Sequence, residues 1–189
     1  MSEVKYTPHI PEIKTIENDL IFETFGMGSR LNLLNNLGIG RIGVFIQNFD
    51  AKTNKETNRC TAFIKIPEAL LLANDILSGK YASLTKNVTE GESEPVFINY
   101  GGTDSEKAGR ADHKPVCRCL TLTRRNGKWS LRIAEGAGKK TATNGFIFDG
   151  KAEKIVYIGM NDDTLKQMAL MIQNECLAYR VAQLCSLNK

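Results

Sequence analysis

Residues Pro115–Lys140 read PVCRCLTLTRRNGKWSLRIAEGAGKK, two alternating runs joined at Asn126-Gly127. Asn-Gly between such runs is a strong hairpin signal, because both central positions of a type I′ turn need positive φ and these residues tolerate it. The spacing predicts strands over Val116–Arg124 and Lys128–Ala134. Successive strand side chains point to opposite faces. On the first strand Val116, Leu120 and Leu122 therefore oppose Cys117, Cys119, Thr121 and Thr123. On the second, Trp129, Leu131 and Ile133 oppose Lys128, Ser130 and Arg132. One face of the hairpin is core, Trp129 included, and the other is polar and basic.

The same region concentrates positive charge. It holds Lys107, Arg110, Lys114, Arg118, Arg124, Arg125, Lys128, Arg132, Lys139 and Lys140 against only Asp112 and Glu135, so it carries 10 − 2 = +8. The whole chain carries +4, so the remainder is acidic. Charge concentrated on a near-balanced chain is the footprint of a polyanion-binding surface. The plainer alternative is a sheet face whose charges only keep it solvated. Trp129, Phe146, Phe148 and Tyr157 close by favour binding, since single-strand binders combine a cationic groove with aromatic stacking.

Outward from the hairpin, the pattern is of strands followed by a helix, twice. Pro8 and Pro11 mark residues 1–18 as an extended arm. Asp19–Phe25 is expected as a strand with Leu20, Phe22 and Thr24 on one face, and Arg30–Leu37 as one or two helical turns. Val44–Phe49 and Arg59–Ile66 form a hairpin about a polar turn, Asp50–Asn58. A helix begins near Pro67, a residue favoured at the first helical position, and ends by Gly79, with Leu70, Leu71, Ala73, Ile76 and Leu77 as its apolar face. Tyr81–Pro95 is expected as a linker, Val96–Tyr100 as a strand, and Gly101–Lys114 and Gly136–Gly145 as mobile loops. Phe146–Phe148 and Ile155–Ile158 are short strands about Asp149-Gly150. Asn161-Asp162-Asp163 caps a long final helix. Leu165, Met168, Ala169, Ile172, Cys176, Tyr179 and Leu184 make one stripe along it, and Leu170, Leu177 and Val181 a second, which points to a homodimer through this helix. The expected class is α+β: antiparallel curved sheets, each followed by a helix. The 189 residues form a single domain of two pseudo-repeats, 19–80 and 96–185, joined by the polar linker 81–95.

Composition narrows the function. A hydrophobic fraction of 42% with 24% charged residues is ordinary for a globular chain, and no run reaches the ~18 apolar residues of a membrane helix. The N-terminal stretch lacks a signal-peptide core, and five cysteines within strand- and helix-like segments point to reduced thiols. A cytoplasmic location is expected. Gly38-Ile39-Gly40-Arg41-Ile42-Gly43 fits GxGxxG literally, but that motif must enter a helix and here it enters a strand, which favours a turn over a nucleotide site. Gly138-Lys139-Lys140-Thr141 lacks the first glycine of a P-loop. His113, Cys117 and Cys119, with Cys60, raise a metal site. Cys-x-Cys spacing differs from the wider pairs of structural zinc, so buried thiols are the favoured reading. With two histidines and no nucleophile motif, no catalytic site is expected.

Gly127-Lys128, Leu131-Arg132-Ile133-Ala134-Glu135 and Gly136-Ala137-Gly138 resemble the PUR repeat, and more distantly the Whirly and PC4-like single-strand binders. PUR repeats have a similar basic strand reading Leu-Lys-Ile-Ala-Glu before a Gly-rich loop. The resemblance implies a curved four-stranded antiparallel sheet followed by a helix, with two such units packed together, and sequence-tolerant binding of single-stranded DNA or RNA. Carried over onto this sequence, it implicates Lys128, Arg132 and the loop Gly136–Lys140.

The sequence thus points to a non-enzymatic single-stranded nucleic-acid-binding protein, with DNA as the expected ligand and no cofactor. Arg118, Arg124, Arg125, Lys128, Arg132, Lys139 and Lys140, flanked by Lys107, Arg110 and Lys114, are the expected phosphate contacts. The alternatives are an OB-fold single-strand binder of the phage or mobile-element type, and a structural or inhibitory protein that docks an acidic partner.

Overall fold

The computed structural model describes residues 19–85, 94–125 and 127–186. The expected N-terminal arm, Asn126 of the hairpin turn and most of the expected linker lie outside the described residues, as does the side chain of Arg125. Strands β1 (Asp19–Gly26), β2 (Ser29–Asn36), β3 (Arg41–Phe49) and β4 (Glu56–Lys65) form an antiparallel sheet in that spatial order. Helices α1 (Ile66–Leu77) and α2 (Lys80–Leu84) follow. The second half contains β5 (Phe97–Thr103), α3 (Ser105–Ala108), β6 (Val116–Arg125), β7 (Lys128–Lys140), β8 (Phe146–Phe148), β9 (Lys154–Met160) and α4 (Asp162–Ser186). Its sheet runs β5-β6-β7-β9, with β8 pairing only the far end of β7. The fold is α+β: a four-stranded antiparallel sheet followed by α1 and α2 in the first half, and a five-stranded one, β8 included, followed by α4 in the second. Among the described strands neither sheet closes into a barrel, which sets aside the OB-fold.

The two sheets share one core. Leu31, Leu33, Ile42, Val44, Ile46, Cys60 and Ile64 face it from the first sheet, and Leu120, Leu122, Trp129, Leu131, Ile133, Val156 and Ile158 from the second. Helix α1 adds Leu72 and Ile76, and α4 adds Leu165, Met168, Ala169, Ile172 and Cys176. Strand β9 touches every strand of the first sheet. Asn48 fixes that crossing, because its Nδ2 donates to the Tyr157 carbonyl at 2.8 Å and its Oδ1 accepts from the Tyr157 N–H at 3.2 Å.

Several local expectations are corrected. The helical turns expected at Arg30–Leu37 are strand β2, in which Leu31 and Leu33 are buried opposite Ile46 and Val44. That is a period of two, and asparagine at positions 32, 35 and 36 gives little support to a helix. In β1 a bulge between Leu20 and Phe22 shifts the register, burying Ile21 and leaving Leu20 exposed. Residues 69–73 of α1 are apolar all round, so the period cannot choose a face. Packing buries Ala69, Leu72, Ala73 and Ile76 and leaves Leu70 and Leu71 exposed. The linker expected from Tyr81 begins as α2, whose Tyr81 is buried.

The two loops expected to be mobile are largely ordered. Strand β5 runs through Gly101 and Gly102 to Thr103, and α3 follows. The Arg110 guanidinium then bonds both Asp112 and Glu153, at 2.7–2.8 Å. Gly136 and Gly138 lie inside β7, where each admits neighbouring backbone. A Cβ on Gly138 would come within 2.9 Å of the Cys117 backbone nitrogen, and one on Gly136 within 3.1 Å of the Lys151 carbonyl.

Candidate functional site

The outward face of the second sheet is built by register. One row crosses it as Ile98 of β5, Thr121 of β6, Arg132 of β7 and Tyr157 of β9. The next row is Tyr100, Cys119, Ala134 and Ile155. Alternation sends their strand neighbours Leu120, Leu131, Ile133 and Val156 into the core, which forces these residues outward. Tyr157 is 59% exposed and Tyr100 54%, far more than a packed aromatic, and Ile98 and Ile155 are exposed as well. Arg132 stands between Tyr157 and Thr121 and forms no ion pair among the described residues; Lys128 lies four residues along the same face. The result is a pleated platform of two tyrosine rings and two apolar side chains around a free guanidinium. Such a surface can stack planar rings and attract anions together.

The structure divides nine of the ten basic residues named from the sequence, the side chain of Arg125 lying outside the described residues. Lys107, Lys128, Arg132 and Lys139 are without ion pairs among the described residues. Arg110 pairs with Asp112 and Glu153, Lys114 with Asp149, Arg118 with Glu135, Arg124 with Asp162 and Lys140 with Asp104. Arg118 and Arg124 share the core-facing side of β6 with Leu120 and Leu122, opposite the platform. The Arg118 Nε donates to Glu135 at 2.6 Å. Arg124 lies 5.0 Å from the Trp129 ring centroid with its side chain only 19% exposed. The same Asp162 accepts the Trp129 indole N–H at 2.5 Å.

Asp104, Asp149, Glu153 and Asp162 lie outside the basic segment in sequence yet fold back against it. Counting them reduces its charge to 8 − 4 = +4. Hydrogen bonds from Lys114 and Arg110 hold the Asp149 and Glu153 carboxyls below their ordinary range. Burial alone would raise Glu135, but Lys154 and Arg118 outweigh it and the net shift is downward. These carboxylates stay ionised and keep their partners occupied. Gly136–Lys140, implicated as a flexible loop, is strand, with only Lys139 and Lys140 exposed.

Cys117 and Cys119 are buried on β6, and Cys60 faces the core from the first sheet. Burial pushes the Cys60 and Cys117 thiols up to about 11. Among the described residues no group of three or more histidine, cysteine or acidic side chains is arranged to hold a metal ion. The GxGxxG stretch leads through a 3-10 turn, Leu37–Ile39, into β3 and not into a helix. Gly40 takes φ 71° at the turn. No helix among the described residues is long and apolar enough to cross a membrane.

Sequence reading singled out the lysines and arginines and missed Tyr100, Ile98 and Ile155. The signal was present in Val96–Tyr100: with Phe97 and Asn99 facing inward, Ile98 and Tyr100 must face out. Comparison with known protein families and with curated proteins finds no match for this chain.

Proposed function

We propose that this protein binds single-stranded nucleic acid, DNA above all, without sequence preference and without catalysis, through the outward face of its second sheet. The observation that carries this reading is the row Ile98–Thr121–Arg132–Tyr157, with Tyr100 beside it. Burying two exposed tyrosines against bases gains stacking of about 1–3 kcal/mol per base, and every base offers a ring face. Arg132 and Lys128 supply phosphate contacts on the same face. Arg110, Lys114, Lys140 and the other paired cations join only by exchanging a carboxylate for a phosphate. Exposed ion pairs are worth little, so that exchange is open to Lys114 and Lys140. The PUR-like resemblance of Gly127–Gly138 supports the same reading. A fluorescence anisotropy titration with oligo-dT at about 50 and about 300 mM salt tests the reading, since single-strand affinity falls by about 0.7 log units per phosphate contact for each tenfold rise in salt. Micromolar or tighter binding that weakens with salt is expected; absence of binding at low salt overturns it.

The proposal includes a homodimer through α4. Leu170, Leu177 and Leu184 recur every seven residues with Val181 between them, and all are exposed in the single chain. Seven-residue recurrence is the spacing of a helix–helix seam. An acidic protein partner would use the same basic face, and displacement of oligo-dT by that partner would reveal it.

A further inference from the structure

A second concave site lies on the other side of the β9 edge, with a volume of about 690 Å³. Its first wall is the outward face of the first sheet, where Phe45 of β3 and Phe63 of β4 are diagonal neighbours. Gly43, directly opposite Phe63, lets neighbouring side chains close over it, since a Cβ there would stand 2.7 Å from Asn36 Oδ1, 3.3 Å from Leu34 and 3.6 Å from the Phe63 ring. Leu34 and Asn36 line the cleft beside the two phenylalanines. Phe63 is 39% exposed, an aromatic ring with one side uncovered. Arg59, two residues before Thr61 on the same face, is exposed at the mouth.

The opposite wall is the end of the second sheet, where its core-facing rows pass beyond Leu120, Ile133 and Val156 and become charged. Arg118 and Lys154 both bond Glu135, at 2.6 and 3.0 Å, and Arg118 Nη1 donates to Thr103 Oγ1 at 2.9 Å. Three cations, Arg59, Arg118 and Lys154, line the cleft against one lining carboxylate, 3 − 1 = +2. Glu56, outside the lining, pairs with the exposed Arg59 at 3.5 Å, a weak surface pair that a phosphate can replace. Aromatic rings on one wall and net positive charge across the opening suit a ligand that is flat and apolar at one end and anionic at the other. The volume falls within the roughly 300–1,000 Å³ of small-molecule sites.

We propose that this cleft takes one nucleotide unit of the bound strand, its base against Phe45 and Phe63 and its phosphate at Arg59. This inference rests on the single-strand reading above. The two surfaces adjoin: Asn48, which grips Tyr157, follows Gln47, and Gln47 is the cross-strand partner of Arg59. A strand leaving the tyrosine platform over the β9 edge arrives at the cleft. The cleft sets a register for the strand, where the open platform alone would let it slide.

Photo-crosslinking of the full chain tests this, with oligo-dT carrying a single 4-thiothymidine at successive positions and mass spectrometry of the adducts. The expected result is adducts on the β3–β4 segment containing Phe45 or Phe63 at one thymidine position, beside adducts at Tyr100 or Tyr157 from others. The variant Phe63→Ala, checked for folding by its thermal melt, should lose those adducts and bind oligo-dT roughly 5- to 100-fold more weakly. If oligo-dT binds but adducts form only on the platform, the cleft assignment is overturned and the single-strand reading stands. If no oligo-dT binds, both fall.

Discussion

Arg118 and Arg132 belong to the same basic hairpin, yet the period of two sends them to opposite sides of the sheet. Arg132 meets Thr121 and Tyr157 on the outward face, whereas Arg118 meets Glu135 at the inner end. Arg132→Ala is expected to weaken oligo-dT binding and to lower its log–log salt slope by about 0.7, with thermal stability unchanged. Arg118→Ala leaves a half-buried carboxylate with Lys154 alone and should cost about 1–3 kcal/mol in urea unfolding. The facing of these residues was legible in the alternation of PVCRCLTLT and KWSLRIAE. The partners of Arg110 and Arg124 were not, because Glu153 and Asp162 are brought near only by the fold. The thiols divide similarly: burial pushes Cys60, Cys117 and Cys176 up to about 11, while Cys185 is exposed. Cys185 should therefore be the one thiol of these four to react quickly with Ellman's reagent in the native protein. The three raised thiols favour the folded state fully below their ordinary pKa of 9.0, and that stability should fade as the pH rises toward about 11. A urea midpoint that does not fall over that interval would contradict this.

Elements whose apolar period was clear were legible from sequence: the β6–β7 hairpin, β9 and α4. Glycine misled the reading of β5 and β7, because a strand uses glycine where another chain approaches closely, and composition alone cannot tell that from a loop. Gly101 and Gly102 make the distinction measurable. A Cβ on Gly101 meets nothing within 4 Å, but one on Gly102 would stand 2.5 Å from the Val116 carbonyl and overlap the Phe146 ring. Gly101→Ala is expected to leave the melting temperature nearly unchanged. Gly102→Ala should destabilise by about 1–3 kcal/mol, as overpacking does. Equal melting temperatures for the two variants would contradict the packing of β8 over β5. Helix α4 carries its own test. Its inner stripe is buried to Cys176, while Leu184, expected on that stripe, lies exposed with Leu177 and Val181. Leu177→Glu, at a position 64% exposed in the single chain, should convert a sedimenting dimer to monomer without loss of helix content. A wild-type monomer at micromolar concentration would remove the dimer from the account.

At the scale of the molecule, a linear run of positive charge did not become an equally strong patch. Carboxylates from outside the segment, Asp104, Asp149, Glu153 and Asp162, neutralise part of it. Of the cations left unpaired among the described residues, Arg132 and Lys128 lie on the face where the second sheet also exposes aromatic rings. The α+β class and the twice-repeated order of strands then helix were legible, since they depend on hydrophobic period. The cleft was not, since it arises where strands distant in sequence come together. The platform was legible only strand by strand, in the alternation that turns Ile98, Tyr100 and Arg132 outward. The most direct test compares oligo-dT affinity, at low and moderate salt, for the wild-type chain and for a Tyr100→Ala/Tyr157→Ala variant of unchanged melting temperature. The account predicts salt-sensitive binding by the wild type and at least a tenfold loss in the variant, the lower range expected for losing two stacking rings. Equal affinity in the two proteins would contradict the claim that the outward face of the second sheet is the binding surface.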